Sequence, residues 1–130
     1  MNKIRQDFHV HASIETVFRA LTDPILIEQW SESRAIMDSK IGTRFSLFNG
    51  YIIGQNLEIG LNKKIVQNWR ARNWKDDSLV SMNLIKETGG TKIELRQEGI
   101  PDQEYVSIQQ GWNKFYLGKL QRFFGNGRRL

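Results

Sequence analysis

Apolar and polar residues alternate at the start of the chain, and the alternation then gives way to a helical pattern. Residues 4–11 have the period of a half-buried strand, with one face formed by Ile4, Gln6, Phe8 and Val10. Ser13 is a favourable N-cap for a helix that buries Ile14, Val17, Phe18 and Leu21. Asp23-Pro24 begins a second short helix, because aspartate caps free amides and proline suits the first turn. The apolar positions of this second helix are Ile25, Leu26, Ile27 and Trp30.

A run of strands separated by short turns follows. We predict strands over residues 43–48, 51–59, 63–74, 79–86 and 91–98, with a further short piece at 35–37. Asn49-Gly50 is the strongest hairpin signal in the chain. The last strand alternates cleanly, with an inward face of Thr91, Ile93, Leu95 and Gln97. Consecutive strands of this kind make an antiparallel meander, so we expect one curved sheet of six or seven strands.

Residues 103–124 show the period of one long amphipathic helix. Its apolar positions are spaced by three and four, at Tyr105, Ile108, Trp112, Phe115, Tyr116, Leu120 and Phe123. A curved antiparallel sheet needs its apolar concave face covered, and only this helix is long and apolar enough to do so. We therefore predict an α+β fold in which the sheet wraps around the C-terminal helix. Trp112, at the centre of the helix face, should be largely buried.

Two glycines in this helix lie seven residues apart on nearly one side. A glycine costs about 1 kcal/mol in a helix interior relative to alanine, so Gly111 and Gly118 need a reason. Close packing of the helix backbone against a large side chain of the sheet is one reason, and room for a ligand is the other. We favour packing. The residues expected at the helix–sheet contact, or around a cavity there, are Trp69, Met82, Gln97, Gly111, Trp112 and Phe115.

Composition sets the class of protein. With 130 residues, 39% of them hydrophobic and 25% charged, the chain has the size and balance of one globular domain, residues 1–130. It contains no cysteine, which excludes disulfides, a thiolate nucleophile and a cysteine metal site. No stretch has the apolar character of a signal peptide or a membrane span, so we expect a cytoplasmic protein.

The net charge of +5 is unevenly distributed along the chain. Residues 1–102 hold fourteen basic and thirteen acidic residues, whereas residues 103–130 hold five basic residues and one acid. The five basic residues are Lys114, Lys119, Arg122, Arg128 and Arg129. Because this excess lies in one helix and tail, and not in a basic groove with interleaved aromatics, we expect neither nucleic acid nor membrane binding. The basic end is either a solvated helix face or a surface that steers association with an acidic partner.

Candidate chemical groups are sparse. His9 and His11 share a strand face, but two ligands are too few for a metal site, and we expect both to face solvent. Four glutamines fall in phase with apolar positions, and we place them at the sheet edge in preference to a cavity: Gln6, Gln55, Gln67 and Gln97. The carboxylates that could form acid–base pairs lie in turns, where capping or solvation explains them: Asp76, Asp77, Glu98 and Asp102. The sequence therefore favours a binding module over an enzyme, with no metal or cofactor.

The element order is similar to the helix-grip fold of START-like lipid-transfer domains and birch-pollen-allergen-like proteins. Within that superfamily, the chain resembles the activator of heat-shock protein 90 ATPase family. The segments that carry the resemblance are residues 12–24, Gly42-Thr43-Arg44-Phe45, residues 50–54 and residues 65–70. The C-terminal part resembles the C-terminal domain of the eukaryotic co-chaperone in residues 97–101, Gln110-Gly111-Trp112, Phe115-Tyr116 and Phe124-Gly125-Asn126-Gly127. No segment resembles the separate N-terminal domain of that co-chaperone.

The resemblance implies a monomeric co-chaperone that binds heat-shock protein 90 and stimulates its ATPase in protein folding and the stress response. It also implies that the five basic residues meet the acidic surface of the chaperone. Two alternatives stay open: a START-like protein that holds a small apolar ligand between sheet and helix, and, less favoured, a hydrolase or cyclase in the same cavity. A cavity lined by Trp69, Met82 and Trp112 would favour the ligand-binding alternative. A packed interior with an exposed basic helix end would favour the co-chaperone.

Overall fold

The antiparallel sheet has the predicted meander, with the first strand added beside the last. The computed structural model describes residues 2–125. Within them, six strands pair in the order β1-β6-β5-β4-β3-β2. The strands are β1 (Asn2–Val10), β2 (Arg44–Leu47), β3 (Ile52–Gly60), β4 (Lys64–Ala71), β5 (Ser78–Glu87) and β6 (Gly90–Ile100). The short piece expected at 35–37 is an isolated bridge between Ile36 and Ser46. The α+β helix-grip architecture is confirmed.

Four α-helices complete the described chain. They are α1 (Ile14–Thr22), α2 (Pro24–Ser31), α3 (Tyr105–Lys114) and α4 (Leu117–Phe124), with a short 3-10 turn (Asp102–Glu104) before α3. Ser13 caps α1 by accepting a hydrogen bond from the amide of Thr16, and Asp23 caps α2 by accepting from the amide of Ile25. Both predicted caps are confirmed. Of the apolar positions of α2, Ile27 and Trp30 are buried, whereas Ile25 is 71% exposed. Within residues 2–125, no helix combines the length and apolar character needed to cross a membrane.

The free edge of β1 is held by the two C-terminal helices. The Tyr105 hydroxyl donates to the carbonyl of Lys3 at 3.2 Å, and the Gln121 amide donates to the carbonyl of His9 at 2.8 Å. An unpaired strand edge exposes amides and carbonyls that other chains can pair with. These side chains therefore protect the edge and fix both helices relative to the sheet.

The C-terminal helix is not continuous, which corrects the prediction of one helix over residues 103–124. The helix is interrupted at Phe115 and Tyr116, between α3 and α4. Arg122 of α4 reaches back and donates to the carbonyls of Asn113 and Lys114, both at 3.0 Å. The last carbonyls of a helix lack partners within it, and Arg122 satisfies two of them at the end of α3. The break turns Phe115 outward, where it is 60% exposed, while Tyr116 is buried.

The β2–β3 hairpin confirms the Asn49-Gly50 signal, but its loop has four residues. Pairing begins at Leu47 and Ile52, and residues 48–51 form the turn. Phe48 has a φ of 54°, a left-handed conformation that is unusual for a bulky residue. Its ring contacts Tyr116 edge-to-face, with the centroids 5.6 Å apart. This loop therefore places the rings of Phe48 and Tyr51 at the end of the sheet nearest α3.

The hydrophobic core lies between the concave face of the sheet and the helices. Met82 and Trp112, both predicted at the helix–sheet contact, are 0% and 2% exposed. The alternation predicted for β6 is confirmed, because its inward residues are all buried: Thr91, Ile93, Leu95 and Gln97. The burial of Trp112 confirms that the sheet covers the C-terminal helical segment.

Candidate functional site

A half-open cleft lies between α3 and the end of the sheet where the β2–β3 loop turns. Its volume is about 300 Å³. We call it the aromatic cleft, and its lining residues are Phe48, Tyr51, Ile52, Trp69, Ser107, Ile108, Gly111, Trp112, Phe115 and Tyr116. Three of the six predicted contact residues, Trp69, Gly111 and Trp112, therefore lie together here. Phe115 also lines the cleft, although from its exposed rim and not from the core.

The floor of the aromatic cleft is a stack of buried rings. Trp69 of β4 stacks on Trp112 of α3 with centroids 5.6 Å apart, and Trp112 stacks on Tyr116 at 4.7 Å. Trp30 of α2 packs behind Tyr116, with the centroids 5.5 Å apart. Burial raises the pKa of Tyr116 well above its ordinary value, because the charged phenolate would lose its hydration. Tyr116 is therefore a neutral, structural part of this floor.

Buried hydrogen bonds fix Trp112 in position. Its indole N–H donates to Gln97 Oε1 at 2.8 Å, and the Gln97 amide donates to Ser78 Oγ at 2.9 Å. The Ser78 hydroxyl donates in turn to the carbonyl of Trp69 at 2.8 Å. Buried polar groups need such partners, and here they join α3 to three adjacent strands. These bonds hold the Trp112 ring of the cleft floor in one orientation.

Two of the four glutamines do not lie where the sequence placed them. Gln97 and Gln67 are 0% and 1% exposed, so the prediction of a sheet-edge position was wrong for both. Gln6 and Gln55 are partly exposed, in line with that prediction. The reason is that partners within the fold accept hydrogen bonds from both side-chain amide groups, although Gln67 Oε1 has no hydrogen-bond partner among the described residues. Gln67 donates to the side chain of Asn56 at 3.1 Å.

Asn56 is a buried polar residue that the sequence analysis missed. It is 0% exposed, and its amide donates to the carbonyl of Asp38 at 3.0 Å and to that of Lys40 at 3.3 Å. These bonds attach the loop before β2 to the sheet. The available signal was its phase, because Asn56 follows Ile52 by four residues along a strand and so shares its inward face.

The two helix glycines have different surroundings. A Cβ at Gly118 would collide with the backbone of Asn113, so Gly118 is closely packed, but the predicted partner was wrong because the neighbour is the end of α3 and not a large side chain of the sheet. A Cβ at Gly111 would meet only the Phe115 ring, at 4.0 Å. The packing interpretation was therefore wrong for Gly111, which opens onto the aromatic cleft.

One cation, Arg72, contacts a ring of the aromatic cleft, and a second, Lys114, is near it in the sequence only. The Arg72 guanidinium lies over the Tyr51 ring, 5.8 Å from its centroid, a distance suited to a cation–π contact. Lys114 is exposed and directly precedes Phe115. Neither cation forms a salt bridge with a carboxylate among residues 2–125. The lining contains no acidic residue.

Two members of the predicted basic surface have partners within the fold. Lys119 Nζ lies 2.7 Å from Glu32 Oε1 and donates to the carbonyl of Ser31 at 3.2 Å, which caps the end of α2. Arg122 caps α3, as described above. Arg128 and Arg129 lie outside the described residues. The partner-binding role of the five basic residues stays a prediction, and among the described members Lys114 has the freest charge.

The remaining candidate groups are explained by local pairing. His9 Nδ1 lies 2.7 Å from Glu87 Oε1, and Arg70 Nε lies 2.9 Å from Asp77 Oδ1. Glu98 lies 3.6 Å from Lys3. Within residues 2–125, no group of three or more histidines and carboxylates could hold a metal ion. Glu87, Asp77 and Glu98 thus pair with nearby basic groups, and the lining of the cleft contains no carboxylate.

Comparison with known proteins identifies the family. A family model described as "Activator of Hsp90 ATPase homolog 1-like protein" matches residues 11–125. The chain belongs to this family. The match covers the elements from α1 to α4, and thus includes every residue that lines the aromatic cleft.

Curated relatives of the chain are named as activators. It is 27% identical over 111 residues to "Activator of 90 kDa heat shock protein ATPase homolog 2" of Mus musculus. It is also 27% identical over 120 residues to "Activator of 90 kDa heat shock protein ATPase homolog 1" of Homo sapiens. These alignments cover 84% and 91% of this chain but 34% and 36% of the relatives. The chain therefore spans about a third of their length.

Solved structures with the same fold include one member named for this activity. An HSP90 activator from Plasmodium falciparum superposes with a TM-score of 0.86 at 29% identity, covering 95% of this chain and 96% of that one. A protein from Mesorhizobium loti superposes with a TM-score of 0.81 at 24% identity, which shows the fold alone. The helix-grip architecture is thus shared more widely than the activator name.

Proposed function

We propose that this chain is a co-chaperone that binds Hsp90 and stimulates its ATPase cycle. The observation that carries the proposal is the likeness to the Plasmodium falciparum HSP90 activator, because it extends over nearly the whole of both chains. Family membership over residues 11–125 supports the same conclusion. The proposal places the chain in the cytoplasm as a monomer that meets the chaperone there.

Binding, and not catalysis, is the activity that the described site supports. General acid–base chemistry needs a titratable group within hydrogen-bond reach of the reacting atom. The lining of the aromatic cleft offers only the hydroxyls of Ser107, Tyr51 and Tyr116 as side-chain polar groups besides the indoles. Of these, Tyr116 is kept protonated by burial. The hydrolase or cyclase alternative therefore receives no support from this geometry.

Titration calorimetry of the cognate Hsp90 with the purified chain tests the proposal. We expect a saturable heat of binding with a defined number of chains bound per chaperone. An Hsp90 preparation blocked by an ATP-site inhibitor shows whether binding depends on the nucleotide state. Absence of heat at all temperatures where both proteins are folded would remove the co-chaperone assignment and leave only the family and the fold.

We propose the basic end of the chain as a surface that contacts Hsp90. Contacts at an exposed charged rim are worth about 0–1 kcal/mol each, so no single substitution should abolish binding. We predict that reversing Lys114, Arg128 and Arg129 to glutamate slows association and flattens its salt dependence. Lys119 and Arg122 are left intact, because both cap helices and their loss would perturb the fold.

The matched control reverses three exposed cations elsewhere, namely Arg44, Lys63 and Lys86. It changes the net charge by the same amount without touching residues 103–130. Stopped-flow association at low and high salt measures both variants. If the control variant slows association as much as the variant reversed at the basic end, the slower association is due to net charge, and the proposed contact surface is wrong.

The aromatic cleft supports a second candidate function, the binding of a small apolar ligand. Its volume of about 300 Å³ is at the lower end of the range for ligand pockets, roughly 300–1,000 Å³, and its lining is largely apolar. Native mass spectrometry after incubation with fatty acids or sterols tests this candidate. The co-chaperone account predicts no stoichiometric retained ligand, and a retained ligand would favour the START-like alternative.

A further inference from the structure

We propose that the aromatic cleft is a docking site for an apolar side chain carried by an acidic segment of the chaperone. The inference rests on the proposed function for the identity of the partner. It differs from the basic-end surface because it assigns the contact to the cleft between α3 and the β2–β3 loop. A protein segment, and not a small molecule, is the occupant that the exposed rim favours.

The rim of the cleft is exposed, and a small ligand bound in the cleft would not cover it. Phe115 is 60% exposed and Tyr51 is 41% exposed, and both extend from the lining toward solvent. Contiguous apolar surface of this kind marks sites of protein association. A small ligand within about 300 Å³ would cover the floor and leave these outer ring faces in water. A protein segment would cover the floor and the rim together.

The composition of the site resembles that of an interface hot spot. Trp, Tyr and Arg are the residues most enriched where binding energy concentrates; Trp69 and Trp112 form the floor of the cleft, Tyr51 its rim, and Arg72 lies over the Tyr51 ring. The floor of the cleft is already ordered, because Gln97 holds the Trp112 indole through a buried hydrogen bond. Less side-chain freedom remains to be lost on association, and this lowers the entropic cost of binding.

Charge identifies the kind of segment. Arg72, which lies over the ring of the lining residue Tyr51, is exposed and lacks a carboxylate partner among residues 2–125, and the lining contributes no acid. A basic flank would be repelled by this cation, whereas aspartate or glutamate beside the inserted apolar side chain would be attracted. Complementary rim charges raise the rate of association and set the register more than they add affinity.

Gly111 provides a direct test because its missing side chain leaves the space open. A leucine there would project into the cleft, since a Cβ at this position meets only the Phe115 ring at 4.0 Å. Leucine also favours the helix more than glycine does, so α3 should keep its fold. We expect Gly111→Leu to weaken binding to Hsp90 by about tenfold or more, within the range of hot-spot losses.

The matched control is Val106→Leu on the same helix. Val106 is 61% exposed and does not line the cleft, so this change adds apolar bulk to α3 elsewhere. The affinity of the Val106→Leu variant for Hsp90 should stay within about twofold of wild type, as expected for a position outside a hot spot.

A second test variant, Phe115→Ala, shortens the rim without filling the cleft and, like Gly111→Leu, should weaken binding. Circular dichroism melting of each variant establishes that it is folded.

Arg72→Glu tests the charge of the partner segment. We expect slower association and a weaker salt dependence than wild type, whereas Arg44→Glu, at an exposed site in β2, should retain wild-type kinetics. If Arg72→Glu instead accelerates association, the partner segment is basic and the proposed complementarity is wrong.

The outcomes separate this inference from the proposed function. Wild-type binding together with loss in Gly111→Leu and Phe115→Ala supports the cleft as the docking site. If the wild type binds and the folded Gly111→Leu variant binds equally well, the docking inference is overturned and the co-chaperone proposal stands. No binding by the wild type overturns both. A stoichiometric small molecule that fills the cleft in native mass spectrometry would also overturn the docking inference.

Discussion

At the scale of single residues, Trp112 joins the helical layer to the sheet. Its ring stacks between Trp69 and Tyr116, and its N–H donates to Gln97 of β6. Phe115, three residues later, satisfies the same helical spacing but is 60% exposed. The two aromatic residues should therefore differ sharply in their contribution to stability.

We predict that Trp112→Ala lowers the free energy of unfolding by roughly 3–5 kcal/mol, the usual range for a buried large aromatic. Phe115→Ala is the matched control and should change it by about 0.5 kcal/mol or less, as at most surface positions. Urea denaturation monitored by far-ultraviolet circular dichroism measures both. Equal losses in the two variants would contradict the burial difference between them.

The Glu32–Lys119 pair makes a pH-dependent contribution. The hydrogen bond and the positive charge of Lys119 lower the pKa of Glu32 below its ordinary value of 4.5. A lowered pKa in the folded state means that the stabilisation is present above the unfolded value and disappears as pH falls through the folded value. Glu32→Gln should therefore be less stable than wild type near neutral pH and equal to it in strong acid.

Denaturation curves at a series of pH values test this prediction, with Lys119→Met as the second arm of a double-mutant cycle. In the Lys119→Met background, Glu32→Gln should have no pH-dependent effect. If the difference between wild type and Glu32→Gln instead grows toward acid, the assigned sign of the pKa shift is wrong.

At the scale of elements, the junction between α3 and α4 shapes both the core and the cleft. Arg122 caps α3, and Gly118 allows the backbone of Asn113 to approach α4 closely. The break directs Phe115 to the rim of the aromatic cleft and Tyr116 to its floor. A continuous helix would have turned both residues differently.

Alanine at the two helix glycines should act in opposite directions. Gly111→Ala gains helix propensity in open space and should stabilise the protein by up to about 1 kcal/mol. Gly118→Ala forces a Cβ against the Asn113 backbone and should destabilise it by about 1–3 kcal/mol, as overpacking does. Thermal unfolding of both variants is the measurement, and the same sign for both would contradict the geometry of the junction.

Helices and strands could be predicted where their signals lie within the element itself. The alternation of Thr91 to Gln97 and the caps at Ser13 and Asp23 identified their strand and helices, because each signal is local. The helix break was not predictable, since the spacing of three and four continues through Phe115. The alternation of β6 indicated the inward phase of Gln97, but the groups that satisfy its buried amide, Trp112 and Ser78, lie on other elements and carry no local signal.

At the scale of the whole molecule, the family resemblance and the order of elements were sufficient to predict the helix-grip fold. A cavity between sheet and helix was predicted only as the less favoured alternative, and the part of the cleft formed by the β2–β3 loop was not predicted, because it depends on the left-handed turn at Phe48. The basic end was visible in the sequence, but the pairing of Lys119 with Glu32 joins residues far apart in the chain. The charge pattern alone therefore overstated the number of cations free to meet a partner.

Steady-state ATP turnover by the cognate Hsp90, with an inhibitor-blocked control, tests the central claim most directly. The account predicts that the wild-type chain raises inhibitor-sensitive turnover modestly and saturably. A full-length curated relative, of which this chain spans about a third, is the positive control. Inhibitor-sensitive turnover that does not change at any concentration of the chain would contradict the claim that it is an Hsp90 ATPase activator.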